Sequence, residues 1–341
     1  MRVAIVLPVH NEEPVVQKTL DALLAAGVDK KDLYVVDDAS TDCTADIVKA
    51  SGVQFLHLRD NQGKAGAQRK LIRYFLLCYR YDYLIFLDGD SIVEKEFLTE
   101  FKKAAVKYPE VSLRVGQVKS IRGNYLTALR AVEYAYGQDL HKSGQSNFGV
   151  VFVSPGCASM YKTETLLKLS IDSDTLAEDM DLTMQVQRLG EKIRYIPDAV
   201  VYTQDPNNLR DYIKQIIRWQ RGGWQVFKKH RVVSWNKKQK VDWMIIFLVA
   251  DAFLFNQVFW LGASVAFLSW ETAKWAMLVN LGASFAMAVY AGLKTRRFDV
   301  VYKFPMYFWV SWIYLGTFLK TFYEVMIRDE KLLAWNKVAR Y

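Results

Sequence analysis

The sequence predicts an α/β fold with a mostly parallel sheet, followed by amphipathic interface helices and a C-terminal region of about three membrane helices. Three observations carry this. Short apolar runs alternate with helix-period segments over roughly the first 200 residues, acidic or Gly-Lys clusters follow those runs, and the composition turns apolar after Lys240.

Val3-Ala4-Ile5-Val6-Leu7 reads as a first strand, Glu12 to Ala26 as a helix, Leu33 to Val36 as a second strand and Thr41 to Ala50 as a second helix. Gln54 to Leu58, Ala65 to Tyr81 and Tyr83 to Leu87 continue the pattern as strand, helix and strand, and Val150 to Phe152 reads as a later strand. Continuous apolar strands separated by helices imply a parallel sheet covered on both faces. Ligands of such sheets bind beyond the carboxyl ends of the strands, so the residues just past each run carry the functional information.

Asp88-Gly89-Asp90 follows one such run. Two carboxylates one residue apart repel each other unless a cation joins them, and hard Mg²⁺ or Mn²⁺ shares such oxygens with substrate phosphates. Asp37-Asp38 follows the second strand, where Ser40 or Thr41 offers a cap for the next helix; the two aspartates either face the crevice or serve turn and capping chemistry. Asn61-Gln62-Gly63-Lys64-Ala65-Gly66 follows the third, with glycines that let backbone approach a phosphate and a lysine to balance its charge.

Cys43, Cys78 and Cys157 lack Cys-x-x-Cys spacing, which excludes a disulfide frame or zinc site, and His10, His57, His141 and His230 lack metal spacing. The net charge of +9 comes from basic residues beside the apolar segments, not from one early basic helix, so it points to a lipid surface and away from nucleic acid. Trp243 to Trp270, Trp275 to Leu293 and Phe304 to Leu319 each approach the roughly 20 residues that cross a bilayer, with Trp and Tyr at their ends. Lys and Arg flank them so as to place residues 1–240 and the 294–303 loop in the cytosol, as does the lack of a signal peptide before the first strand. Three crossings would put the basic tail outside, so either the third segment does not span or the tail escapes the rule. Asp251 either contacts a polymer inside a channel or lies at headgroup level.

Val3 to Glu13, Val35 to Asp42, Asn61 to Gln68 and Leu84 to Asp90, taken in order, resemble the nucleotide-sugar half of family 2 glycosyltransferases. Ser154-Pro155-Gly156-Cys157-Ala158-Ser159-Met160-Tyr161-Lys162, Ala177-Glu178-Asp179 and Gln215-Ile216-Ile217-Arg218-Trp219 resemble the membrane-embedded branch with hyaluronan, chitin, chitooligosaccharide and cellulose synthases. The resemblance implies a cytosolic GT-A domain over residues 1–205, interfacial helices over 206–240, membrane helices over 241–325 and a basic tail over 326–341.

It also implies roles. Pro8, His10, Glu12, Asp37 and Asp38 would hold the uracil and ribose of a UDP-sugar, and Lys64 would neutralise its diphosphate or hold the base. Asp88 and Asp90 would hold the metal, Asp90 being the direct ligand. Glu178 and Asp179 stand at a helix start, where acids also suit the dipole, and in this branch the second acid of the pair is the base. Cys157, Ala158 and Ser159 would line the acceptor pocket, although a buried turn explains such small residues equally well. Gln215, Arg218 and Trp219 share one helix face: Trp219 would stack on the acceptor sugar, Arg218 would lie near the diphosphate and Gln215 would bond polymer or product, unless the helix is only interfacial. Ala177 and Lys162 depart from the Thr and Arg common in relatives.

The expected protein is an inverting, processive polysaccharide synthase in the cell membrane, with two copies building the pore because three helices are few to surround a polymer. A non-processive lipid glycosyltransferase is the alternative, and a catalytically dead scaffold is a third reading that the intact acids and Gln-x-x-Arg-Trp argue against.

Overall fold

A computed structural model of the chain describes residues 1–230 and 270–330. These form two compact units, one of residues 1–119 and 142–204 and the other of residues 120–141, 205–230 and 270–330.

In the first unit, β1 (Val3–Val9), β2 (Leu33–Asp37), β3 (Gln54–His57), β4 (Tyr83–Phe86), β5 (Ile92–Val93), β6 (Val111–Ser120), β7 (Ser159–Lys162) and β8 (Lys192–Thr203) make one sheet. Its order is β3-β2-β1-β4-β7-β6-β8-β5. The first four are parallel, with Ile5 opposite Leu33 and Ile85, and Val35 opposite Phe55. Here the expected parallel sheet is present. Beyond β4 the sheet turns mixed, because β7 runs antiparallel to β4 and β6, and β5 antiparallel to β8.

Helices α1 (Val16–Ala25), α2 (Thr44–Ser51), α3 (Gly63–Tyr74), α4 (Leu77–Arg80) and α5 (Phe97–Lys107) connect the early strands. In the other unit lies α6 (Tyr125–Tyr134), and α7 (Ser143–Asn147), α8 (Thr163–Leu166) and α9 (Glu178–Arg188) complete the first. Ala4, Val6, Tyr34, Val36, Leu84 and Phe86 pack on Ala67, Leu71 and Ile72 of α3, Leu77 of α4, and Leu182 and Val186 of α9. The alternate residues Ile5, Leu7, Val35 and Ile85 are equally buried, so both faces are covered.

Four local expectations are corrected. The helix expected over Ala65–Tyr81 breaks at Leu76, which adopts φ +51°. The break turns Leu77 and Tyr81 inward, where the Tyr81 hydroxyl meets that of Tyr34 at 3.0 Å. Val150–Phe152 is not a strand; this stretch, with Val150 and Val151 buried and Phe152 half-buried, leads into a turn, and β7 follows it. Pro8 and Val9 extend β1 past the expected end, where Pro8 lies opposite Val36 and beyond the last β1–β4 pair, so its missing N–H breaks no bond to β4. Neither Ser40 nor Thr41 caps α2; Asp42 Oδ1 accepts the Thr44 N–H at 3.0 Å instead.

The second unit comprises α6, α10 (Leu209–Lys229), α11 (Trp270–Thr295), α12 (Asp299–Tyr302) and α13 (Phe304–Phe322). Asn124 caps α6 by accepting from Leu126 N–H at 3.0 Å, and Asn208 caps α10 by accepting from Asp211 N–H at 3.0 Å. Ala128, Ala131 and Val132 of α6 pack on Ala291 and Val300, while Leu126 and Leu129 meet Tyr212, Ile216 and Val310. Among the described residues, Met277–Thr295 within α11 is the one helical stretch long and apolar enough to cross a membrane. The expected first segment up to residue 269, with Asp251, and the tail from residue 331 lie outside the described residues.

Candidate active site

Parallel β1, β2, β3 and β4 deliver their following loops to one edge of the sheet, and the loops brace each other. Asn11 donates its backbone N–H to Ser40 Oγ at 2.8 Å, and its Oδ1 accepts the Thr41 N–H at 2.7 Å. His10 Nδ1 donates to the Asp38 carbonyl at 2.8 Å. Asp38 Oδ1 in turn accepts the Gln62 N–H at 2.7 Å, which ties the β2 loop to the start of α3. Burial raises the Asp38 pKa above the usual carboxylate value, with that N–H and His10 opposing. Ala39 takes φ +59° between them, a left-handed conformation held by this network.

Asp37 occupies a different position from the one expected of a residue facing the crevice. It is fully buried, and its carboxylate accepts from His57 Nδ1 at 2.7 Å and from the backbone and hydroxyl of Ser40. It braces the loop. His57, unremarkable in the sequence, is half of this pair. Pro8 is buried in β1, and Glu12 is buried with its N–H on Thr44 Oγ1 at 2.8 Å.

The turn Asp88-Gly89-Asp90 is fixed by Ser91 Oγ accepting the Asp88 N–H at 3.1 Å and by Thr19 Oγ1 donating to the Gly89 carbonyl at 2.9 Å. A Cβ on Gly89 would stand 3.0 Å from Glu12 Cγ and 3.1 Å from Val9 Cγ1, so those two side chains would have to yield by a few tenths of an ångström to any larger residue. Asp90 is buried and within 3.4 Å of Thr203 Oγ1. Among the described residues no group of three or more His, Cys, Asp or Glu side chains gathers round a metal-sized point. The Asp88 carboxylate is engaged by Lys64 and that of Asp90 lies near Thr203; both are hard oxygen donors of the kind that Mg²⁺ or Mn²⁺ takes together with water and phosphate.

Lys64 is the hub. Its Nζ lies 2.5 Å from Asp88 Oδ1 and 3.0 Å from Glu178 Oε1. Burial would lower its pKa, but Asp88, Glu178 and Asp179 more than offset this and hold it well above the ordinary lysine value. Gly156 makes room: a Cβ there would collide with Lys64 Nζ. Asp179 sits in the first turn of α9, where acids are favoured by the helix dipole. Its carboxylate accepts N–H bonds from Gly156 at 3.1 Å and Met180 at 2.8 Å. Burial and the neighbouring Glu178 charge nevertheless raise its pKa to about 6, with Lys64 opposing. Lys64, Gln68, Gly156, Ser159, Tyr161, Glu178 and Asp179 line one small cavity.

Cys157 and Ala158 are buried beside this cavity, and the Ser159 hydroxyl is committed to Pro155 O at 2.6 Å and to Ser154. Lys142 was not singled out by sequence. It is buried near Asp179 and Cys157, and desolvation brings its pKa down to about 8.

In the second unit, Gln215, Arg218 and Trp219 lie on α10. Gln215 Oε1 accepts from Arg130 Nη2 at 2.6 Å, and the Trp219 ring lies 4.4 Å from the Arg130 guanidinium carbon. Arg130, on α6, has no sequence motif to mark it.

Residues 1–222 match the family model described as glycosyltransferase like family 2. The poly-beta-1,6-N-acetyl-D-glucosamine synthase of Staphylococcus aureus (strain COL) is 26% identical over 255 residues, which cover 72% of this chain and 60% of that protein. The synthase of the same description from Staphylococcus epidermidis is 24% identical over 274 residues, or 74% and 65% of the two chains. The chain thus spans less than two thirds of the length of these curated relatives. Among solved structures, the mannosyltransferase PcManGT from Pyrobaculum calidifontis, in complex with GDP-Man and Mn²⁺, superposes with TM-score 0.62 at 19% identity, covering 95% of this chain and 87% of that one. Residues 1–349 of S. aureus TarS in complex with UDP-GlcNAc give TM-score 0.52 at 16% identity, covering 88% and 89%. At these identities the likeness is one of fold, and it makes the first unit GT-A-like. With two thirds of its length matched by the family model, and with the sheet-edge loops arranged as described, the chain belongs to glycosyltransferase family 2.

Proposed function

We propose that this chain transfers a sugar, with inversion, from a UDP-sugar to a hydroxyl of a growing polysaccharide at a membrane. One observation carries the proposal: a buried carboxylate, Asp179, whose pKa is raised to about 6, shares a cavity with a lysine that also contacts Asp88 of the acidic turn. Pro8, His10, Glu12 and Asp38 bind the nucleoside, Asp37 holds their loop, and Lys64 meets the diphosphate charge. Asp88 and Asp90 hold Mg²⁺ or Mn²⁺, which when bound supplies Lewis-acid stabilisation of the leaving diphosphate. The acceptor oxygen attacks the anomeric carbon, the bond from that carbon to the phosphate oxygen breaks, and Asp179 takes the hydroxyl proton. Glu178 keeps Lys64 in place. Cys157, Ala158 and Ser159 shape the acceptor side, Trp219 stacks on the acceptor sugar, Gln215 bonds it and Arg218 meets diphosphate charge.

The names of the relatives favour an N-acetylglucosamine donor, since two are poly-beta-1,6-N-acetyl-D-glucosamine synthases and one fold neighbour was solved with UDP-GlcNAc. Exposed Trp275, Leu278, Val279 and Leu293 on α11 support a lipid-embedded helix, with two further segments and the cytosolic catalytic unit completing the arrangement read from sequence. Purified full-length protein incubated with UDP-GlcNAc and Mn²⁺ should release UDP and build a ladder of oligomers. Absence of UDP release across a panel of UDP-sugars and GDP-mannose would reject the assignment.

The alternative, single transfer to a lipid acceptor, uses the same donor chemistry and differs in the product. A single organic-extractable glycolipid in place of the ladder selects it.

A further inference from the structure

Arg130 stands out among charged groups beyond the catalytic cavity. Its side chain is fully buried on α6, yet it is surrounded by polar and aromatic groups. Nη1 donates to the Tyr314 hydroxyl at 3.0 Å and pairs with Glu133, Nη2 donates to Gln215 Oε1 at 2.6 Å, and Nε lies 3.8 Å from Asp205. The guanidinium carbon lies 4.4 Å from the ring centroids of both Tyr212 and Trp219. Tyr212, Gln215 and Trp219 stand at i, i+3 and i+7 of α10, so one guanidinium grips a single helix face at three successive positions.

We propose that Arg130 is a positioning residue that fixes Gln215 and Trp219 for the acceptor. This rests on the acceptor role given above to Trp219. Pairing with Glu133 and Asp205 and the hydrogen bonds to Tyr314 and Gln215 offset the cost of burying this cation, and such a pair contributes little net stability over an apolar filling. Two of its three α10 partners are the motif residues. With Oε1 bound to Arg130, the Gln215 amide cannot flip, and its Nε2 is held as the donor for a sugar or phosphate oxygen. The Trp219 ring, 39% exposed, is backed by the cation and so presents a fixed surface on which a sugar can stack. Lysine cannot replace it. A point-like ammonium lacks the planar fork that reaches Tyr314 and Gln215 at once while lying against two rings.

The test uses full-length protein in detergent micelles with UDP-GlcNAc as donor and short N-acetylglucosamine oligomers as acceptor, comparing Arg130→Lys, Trp219→Phe and the double variant. Arg130→Lys should raise the acceptor KM about tenfold and leave the donor KM within about twofold, as expected for loss of one charge-assisted contact at the acceptor face. The double variant should fall short of the product of the two single effects, because part of what Arg130 does passes through the Trp219 ring and only the part through Gln215 remains once that ring is replaced. Donor and acceptor parameters falling together, or effects that multiply in the double variant, would overturn the proposal and leave Arg130 a packing residue.

Trp219 emission, taken as the difference between each protein and its Trp219→Phe partner, gives a second readout independent of turnover. It should change in Arg130→Lys; an unchanged difference spectrum overturns the positioning role. If Trp219→Phe leaves the acceptor KM untouched, the acceptor reading of α10 fails, and the spectrum alone decides for Arg130. Should Arg130→Lys not fold, Tyr314→Phe, which removes one Arg130 hydrogen bond, is read by the same two measurements, with a smaller shift expected in each and no shift in either overturning the proposal.

Discussion

On the role proposed above for Asp179, one buried side chain of the first unit carries the proton transfer. Replacement by Asn keeps the shape and removes the base, so transfer should fall by about 10²–10⁴-fold while UDP-sugar binding, measured by calorimetry, persists. Because burial raises its pKa to about 6, the carboxyl is protonated and inactive below that value, and kcat/KM should climb with pH through about 6. Lys64→Met removes the cation that opposes this rise. The acid limb of the pH profile should then move to higher pH, and donor KM should increase; a limb that stays in place would mean that another group titrates. Lys64, Asp88, Glu178 and Asp179, which the structure brings together, stood out in the sequence because each belongs to a short local pattern. Arg130 did not, since Gln215 is 85 positions away and a single Arg in an amphipathic helix looks solvated.

The same contrast holds for elements. β1 to β4 were readable because strands buried on both faces are continuous apolar runs, whereas β6, with the sequence VSLRVGQVKS, and β8 mix polar residues into strands and left no such trace. The break of the α3–α4 stretch at Leu76 was hidden because Phe75, Leu76 and Leu77 carry the apolar pattern straight through it. Likewise, the pairing of Asp37 with His57 joins the ends of β2 and β3 and has no local signature. Asp37→Ala would remove the buried acceptor that ties His57 and Ser40 to the loop, at a cost of about 1 kcal/mol, since His57 is half exposed and can turn to water. Thermal unfolding should show the loss, and donor affinity should fall with it as the β2 loop loosens. Gly156→Ala belongs at this scale too. The added methyl would push Lys64 off Asp88 and Glu178, so donor KM should rise with little change in the unfolding midpoint.

At the scale of the whole molecule, α11 exposes Trp275, Leu278, Val279, Phe285 and Leu293, an apolar surface that water does not favour. Full-length protein should stay in the membrane pellet after an alkaline carbonate wash, and recovery in the supernatant would contradict a spanning helix. The Lys64 hub has a consequence for how the enzyme meets its donor. The Asp179 carboxyl, raised to about 6 by burial and the Glu178 charge and opposed by the Lys64 ammonium, responds to any charge added beside that ammonium. Arrival of a nucleotide diphosphate should therefore be accompanied by net proton exchange with the buffer, visible as a heat of binding that changes with the ionisation enthalpy of the buffer chosen.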